Sequence, residues 1–251
     1  KNIQFSKLNG ERLKGYIAVV TGAGRGIGKS IALALAQQQC TIFITSRTQS
    51  ELDRTVEEIN NAGGVGHAVV ANAMDRDDAK KPVKHAIEKY GRIDILVNNV
   101  AISDNKNILD IDLVTWQRTV DITLTAPFYF AKCVAHKMVE DKTAGNIVNV
   151  SSTTGYFGRG RAIAYAAAKG GVVNLTRAMA IQLADYNIRV NSVVPNKIGS
   201  PVGKDDFDPS RPIVNLRNRA GVPDDLANAV AFLVSDQSDF IVGTDLFVDG
   251  G

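Results

Sequence analysis

Seven short apolar runs, at 16–21, 41–46, 67–71, 93–98, 146–151, 188–194 and 245–248, recur from one end of the chain to the other. Most are nearly continuous in Val and Ile, the pattern of strands covered on both faces rather than one. Segments of helical period separate them. Leu52, Val56 and Ile59 mark one face of a helix that stops at Gly63-Gly64, while Ile31, Leu33 and Leu35 lie in a helix too apolar to face water. Strands alternating with helices need crossover connections, and crossovers are right-handed. The fold class predicted is therefore α/β, a doubly wound parallel sheet of about seven strands with helices on both faces. No Pro/Gly/Ser linker and no repeat of fixed period divides the 251 residues, so 1–251 reads as a single domain. The stretch 199–219 departs from the rhythm with Pro201, Pro209, Pro212 and mixed charges. It reads as a surface excursion, either a substrate loop or an ordinary long connection.

The first run leads into Gly22-Ala23-Gly24-Arg25-Gly26-Ile27-Gly28 and then into a helix. A strand, a glycine-rich turn and a helix together bring backbone N–H groups to a pyrophosphate at the positive helix end, the Rossmann-type arrangement. Side chains at Gly22 or Gly26 would hold phosphates off, and Gly28 lets the helix pack closely on the sheet. The spacing is Gly-x3-Gly-x-Gly rather than the commoner Gly-x-Gly-x2-Gly. Any tight connection needs glycine, so the second strand decides the reading. It ends Ile44-Thr45-Ser46-Arg47, and no acid lies between Gly28 and Glu51. NAD calls for an acid about twenty residues past the turn, to accept from the ribose 2′-OH. A carboxylate would repel a 2′-phosphate, whereas the Ser46 hydroxyl and the Arg47 guanidinium would hold it, with Arg25 as a second cation. NADP(H) is thus favoured over NAD(H); the plain alternative is that Arg47 decorates a surface turn.

A long Ala-rich helical pattern over 162–184 contains Tyr165-Ala-Ala-Ala-Lys169. The offset of four puts phenol and ammonium on one helical face. An ammonium beside a phenol favours phenolate and draws its pKa down from about 10, which suits proton exchange with an alcohol or carbonyl. The preceding run ends in Ser151-Ser152, at the carboxyl end of a strand, where ligands of such sheets bind. Ser152, thirteen residues before Tyr165, could donate to a substrate oxygen. No histidine stands near it in sequence to make it a nucleophile. Turn chemistry or a helix cap would equally explain two serines at a strand end.

Composition closes off other classes. With 45% hydrophobic and 22% charged residues the chain is neither disordered nor fibrous. No apolar run approaches the roughly 20 residues that span a bilayer, and residues 1–10 show no secretory core, so no membrane partner is expected. The numbering opens without Met, which leaves organellar import open. The net charge of +3 comes without a Lys/Arg block, so no nucleic-acid partner is expected. Two cysteines and three scattered histidines make neither a disulfide framework nor a zinc spacing, so a metal-free protein in a reducing, cytoplasmic setting is expected.

Taken in order, these motifs resemble the short-chain dehydrogenase/reductase family over essentially the whole chain. Thr21-Gly22-Ala-Gly-Arg25-Gly26-Ile27-Gly28 looks like its cofactor turn, and Asn98-Asn99-Val100-Ala101 like its Asn-Asn-Ala-Gly strand end. Ser152, Tyr165 and Lys169 match its catalytic spacing, and Ile188-Arg189-Val190-Asn191 and Val248-Asp249-Gly250-Gly251 match further signatures. The resemblance implies NAD(P)-dependent interconversion of a small carbonyl compound and an alcohol, commonly in a homotetramer or dimer. It makes Tyr165 the general acid/base, Lys169 the residue that lowers its pKa and holds the nicotinamide ribose, and Ser152 the group that orients the substrate oxygen. Asn72 falls where the family usually has an Asp near the adenine. Asn99, Ile198 and Ser200 align with residues around the ribose and nicotinamide.

Three departures stand out. Thr123 occupies the place of an Asn that holds a water in the family's proton relay, Val100-Ala101 replaces Ala-Gly, and Asn196 replaces a Gly after Pro195. A cofactor-binding regulatory or scaffold protein with an impaired relay is one alternative; a redox-neutral epimerase or dehydratase on the same fold is another. Thr153, Thr154, Tyr156, Phe157, Ser103 and the 199–219 excursion would line the substrate pocket by family geometry. Arg159, Arg161 and Lys197 suggest an anionic substrate, although Asp104, Asp205, Asp206 and Asp208 are as near in sequence.

Overall fold

A computed structural model of the chain describes residues 12–199 and 215–251. The elements run β1 (Ile17–Thr21), α1 (Gly26–Gln37), β2 (Thr41–Ser46), α2 (Gln49–Asn61), β3 (Val65–Val70), α3 (Lys80–Tyr90), β4 (Ile95–Asn98), α4 (Leu113–Val120), α5 (Ala126–Glu140), β5 (Gly145–Val150), α6 (Ile163–Leu183), β6 (Ile188–Pro195), α7 (Pro223–Val234) and β7 (Asp245–Val248). The seven strands form one parallel sheet in the order β3-β2-β1-β4-β5-β6-β7. The fold class read from the apolar runs is the one found, with strand ends displaced by a residue or two.

The side-chain period of two explains the two cores. Ala18 and Val20 of β1 and Ile95 and Val97 of β4 face α1 and α7, where Ile31, Leu35, Leu226, Val230 and Leu233 are buried. Ile17, Val19 and Leu96 point to the other face, against Phe130, Val134 and Met138 of α5. Each such Leu, Ile or Phe removed from water contributes about 1.5–3 kcal/mol before entropy is counted. β1 and β4 are buried throughout, whereas the edge strands β3 and β7 keep exposed positions.

The order reverses between β1 and β4, which opens a crevice at the carboxyl ends of these strands, the switch point where open sheets of this kind bind ligands. The glycine turn after β1, Asn98-Asn99 after β4 and Ser151-Ser152 after β5 all emerge there. Ser200 and most of the 199–219 stretch lie outside the described residues. Its base is closed: Ile198 bridges Gly221, and the Gly199 N–H donates to the Gly221 carbonyl at 2.8 Å. Among the described residues no helix is long and apolar enough to cross a membrane.

Candidate active site

The glycine turn is shaped by its contacts with β4. Gly22 has φ +64°, and a Cβ there would lie 3.0 Å from the Val100 Cα, so this glycine is required for packing against the neighbouring strand end before any phosphate arrives. At Gly28 a Cβ would strike the Gly22 carbonyl and, at 2.5 Å, the Asn99 Nδ2. Asn99 is the clamp: its Nδ2 donates to the carbonyls of Thr21 (3.0 Å) and Gly22 (3.1 Å), and its N–H donates to the Thr21 hydroxyl. Its amide N–H groups are spent on the protein, so what it can offer a ligand is a carbonyl oxygen. The first turn of α1 carries no side-chain cap and no acidic residue, so its N–H groups suit a pyrophosphate. The turn fits a dinucleotide.

The adenosine end holds a residue that the sequence reading passed over. Ser46 ends β2 with its hydroxyl on the Thr48 backbone, and Arg47 is exposed with no side-chain partner among the described residues. Glu51, on the first turn of α2, folds back onto the glycine turn. A Cβ on Gly24 would lie 3.0 Å from Ser46 Oγ and 3.1 Å from Glu51 Oε2, and Arg25 Nη1 is 3.6 Å from Glu51 Oε1. A carboxylate therefore stands beside Arg25 and next to Ser46, supplied by a helix rather than by the strand end where acids are sought. Asn72 lies in a turn after β3; its Oδ1 accepts the Met74 N–H at 3.2 Å, which occupies part of the acceptor expected to meet an adenine. Ile198, bridged to Gly221, packs against the α1–α7 core.

Ser152, Tyr165 and Lys169 converge past β5. Ser152 is nearly buried, its Oγ shared with the Thr154 hydroxyl at 2.8 Å, and the serine acts on the Tyr165 phenol electrostatically. Lys169 is buried, 5.6 Å from the centre of the Tyr165 ring, and donates to the Val150 carbonyl at 2.5 Å. Burial pushes the Tyr165 phenol up, while the Ser152 hydroxyl and the Arg159 charge pull it down. Burial lowers the Lys169 ammonium to about 7. Burial therefore disfavours the charged form of both groups, the phenolate and the ammonium.

The departures resolve individually. Thr123 is fully buried in a single π turn, Asp121–Thr125, between α4 and α5. Its hydroxyl donates to the Ile102 carbonyl (3.0 Å) and accepts the Ile102 N–H (3.2 Å). Its one proton is therefore committed to the backbone, so the expected water contact falls to its remaining lone pair. The positive φ after β6 falls on Lys197 (+43°), so Asn196 needs no glycine-like freedom. The Tyr156 ring packs on Phe247, and burial and the Asp245 carboxylate push its phenol up. Phe157 is exposed, and Arg161 reaches the Asn105 carbonyl. Among the described residues no group of three or more side chains is arranged to hold a metal ion.

The profile of a family described as enoyl-(acyl carrier protein) reductase matches residues 22–251. The chain is 35% identical to a 3-oxoacyl-[acyl-carrier-protein] reductase of Thermotoga maritima, over 96% of this chain and 98% of that one. It is 34% identical to a cyclohexanol dehydrogenase of an Acinetobacter species, over 98% of both. A crystal structure of a short-chain type dehydrogenase/reductase from Mycobacterium marinum superposes with a TM-score of 0.92 at 31% identity, covering 95% of this chain and 96% of that one.

Proposed function

The chain belongs to the short-chain dehydrogenase/reductase family of oxidoreductases, and from that premise we propose that it interconverts a ketone or aldehyde and an alcohol, with Tyr165 as general acid/base and NADP(H) favoured over NAD(H). The observation that carries this reading is the convergence of a hydroxyl donor, a phenol and a low-pKa ammonium within one enclosed cluster at the switch point.

Each residue has a physical task. Ser152 donates a hydrogen bond toward an oxygen on the substrate and so holds the reacting carbon in front of the phenol. Tyr165, in the same cluster as Ser152, gives its proton to the oxygen in reduction and takes it back in oxidation. Lys169, near its titration midpoint at neutral pH, accepts or releases a proton next to the ring with little free-energy change. The nicotinamide, when bound, supplies or accepts the hydride. The glycine turn and the α1 N-terminus would hold the pyrophosphate, and Ser46, Arg47 and Arg25 the 2′-phosphate. Arg159, whose charge reaches Tyr165, would favour a substrate bearing an anionic group. The activities the two relatives are named for, on an oxoacyl group and on cyclohexanol, agree with carbonyl–alcohol chemistry.

Fluorescence titration of NADPH and NADH against the wild type, Arg47→Ala and Glu51→Gln tests the cofactor half. Expected are tighter NADPH than NADH, a loss of tenfold or more in NADPH affinity for Arg47→Ala, and a severalfold gain for Glu51→Gln, with NADH little changed. Wild-type preference for NADH would overturn it. NADPH turnover against a panel of carbonyl compounds, abolished in Tyr165→Phe, tests the chemical half; redox-neutral conversion of substrate would overturn that.

A further inference from the structure

We propose that Asp104 is a positioning residue for the general acid/base: its carboxylate is the N-terminal cap of the helix that carries Tyr165. The inference rests on the proposed role of Tyr165. The residue at the start of α6, Ala162, has no side chain able to cap, and it sits in the left-handed region at φ +63°, ψ +51°, where a non-glycine residue is strained. Tyr165 is the third residue of that helix, and an N-cap side chain ordinarily accepts the N–H of the second or third residue. Here Asp104 Oδ1, from a loop 61 residues upstream, accepts the Tyr165 N–H at 2.9 Å.

The same loop covers the rest of the turn. The Lys106 carbonyl accepts the N–H groups of Ala162 (2.7 Å) and Ile163 (3.3 Å), and the Lys106 N–H reaches Asp104 Oδ2 at 3.4 Å. Two residues before Asp104, Ile102 is gripped through both its backbone groups by Thr123. A continuous strap therefore runs from the π turn through residues 102–106 to the backbone of the tyrosine. Asp104 is 6% exposed, so this carboxylate has been taken out of water to make these bonds. The direction of the Tyr165 ring follows from the backbone of its own turn. Loss of the cap frays that turn, and a displacement of about 1 Å at a reacting group can cost about 10²-fold in rate.

Steady-state kinetics, NADPH titration and amide hydrogen exchange on the wild type, Asp104→Ala, Asp104→Asn and Tyr165→Phe test the proposal. Asp104→Ala is expected to lower kcat tenfold or more, with NADPH affinity within twofold of the wild type and faster exchange at the Tyr165 amide. Asp104→Asn keeps an acceptor oxygen and is expected to return kcat to within threefold of the wild type. An unchanged kcat in Asp104→Ala, with Tyr165→Phe inactive, would overturn the positioning role while leaving Tyr165 as the acid/base. Full activity in Tyr165→Phe would overturn the role of the tyrosine, and the cap's catalytic purpose with it. Should Asp104→Ala fail to fold, the wild type suffices: a Tyr165 amide that exchanges as fast as an open helix end overturns the cap.

Discussion

At the scale of single residues, burial acts in opposite directions on the two neighbours of the site, raising the phenol of Tyr165 and lowering the ammonium of Lys169 to about 7. The lysine makes folding pH-dependent. Unfolded, it titrates near 10.4; folded, near 7, so between these values the unfolded chain binds more protons and stability rises with pH, by up to about 1.4 kcal/mol per unit. Below pH 7 both states hold the proton and the whole cost of burying the charge is present. Urea unfolding of Lys169→Met is therefore expected to show its largest gain over the wild type at pH 6 and a smaller gain at pH 9. Parallel pH profiles for the two proteins would refute a buried, easily discharged lysine. The Ser152, Tyr165 and Lys169 set was legible in the sequence because one strand end and one helix fix its spacing. Glu51 and Asp104 were not: each acts on a partner in another element, across a contact that exists only after the sheet has assembled.

Among the elements, the π turn at Asp121–Thr125 is the one with no signature in the hydrophobic period, since one extra residue per turn leaves the flanking helices in their own phase. The strands were legible for the opposite reason. The central strands, buried on both faces, are apolar at most positions, and only the strand ends, where pairing begins, shifted. The π turn presents Thr123 to Ile102, and replacing it separates structure from chemistry. Thr123→Val strands both backbone groups of Ile102 and is expected to cost about 1–3 kcal/mol in stability, with reduced kcat through the strap. Thr123→Asn offers an amide oxygen and an amide N–H to the same two groups, and is expected to match the wild type in thermal midpoint and to equal or exceed it in turnover. A collapse of activity in Thr123→Asn would mean that the hydroxyl itself takes part in proton transfer.

For the whole molecule, several of the exposed apolar side chains fall in two groups along the chain. One lies on and before α4, with Ile108, Leu109, Leu113 and Val114; α6, which packs against α4, carries the exposed Ile181. The other surrounds α7 and the edge strand β7, with Phe232, Phe240, Val242 and Phe247. Two such patches, each meeting its own copy across a two-fold axis, would build a closed tetramer with two kinds of interface, the assembly the family resemblance implies. Light scattering of Leu113→Glu and of Phe240→Glu should each give dimers from a wild-type tetramer, and the double variant monomers. A monomeric wild type would refute it.

The strand order also fixes how such a sheet can be assembled as the chain leaves the ribosome, amino end first. β2 and β3 add outward on one side of β1; β4, β5, β6 and β7 then add outward on the other. No strand has to enter between two that are already paired. At every stage an existing edge is open to the next strand: that of β2 to β3, then that of β1 to β4, and so outward to β7. Deleting the last strand strips an edge; deleting the first cuts the sheet in two.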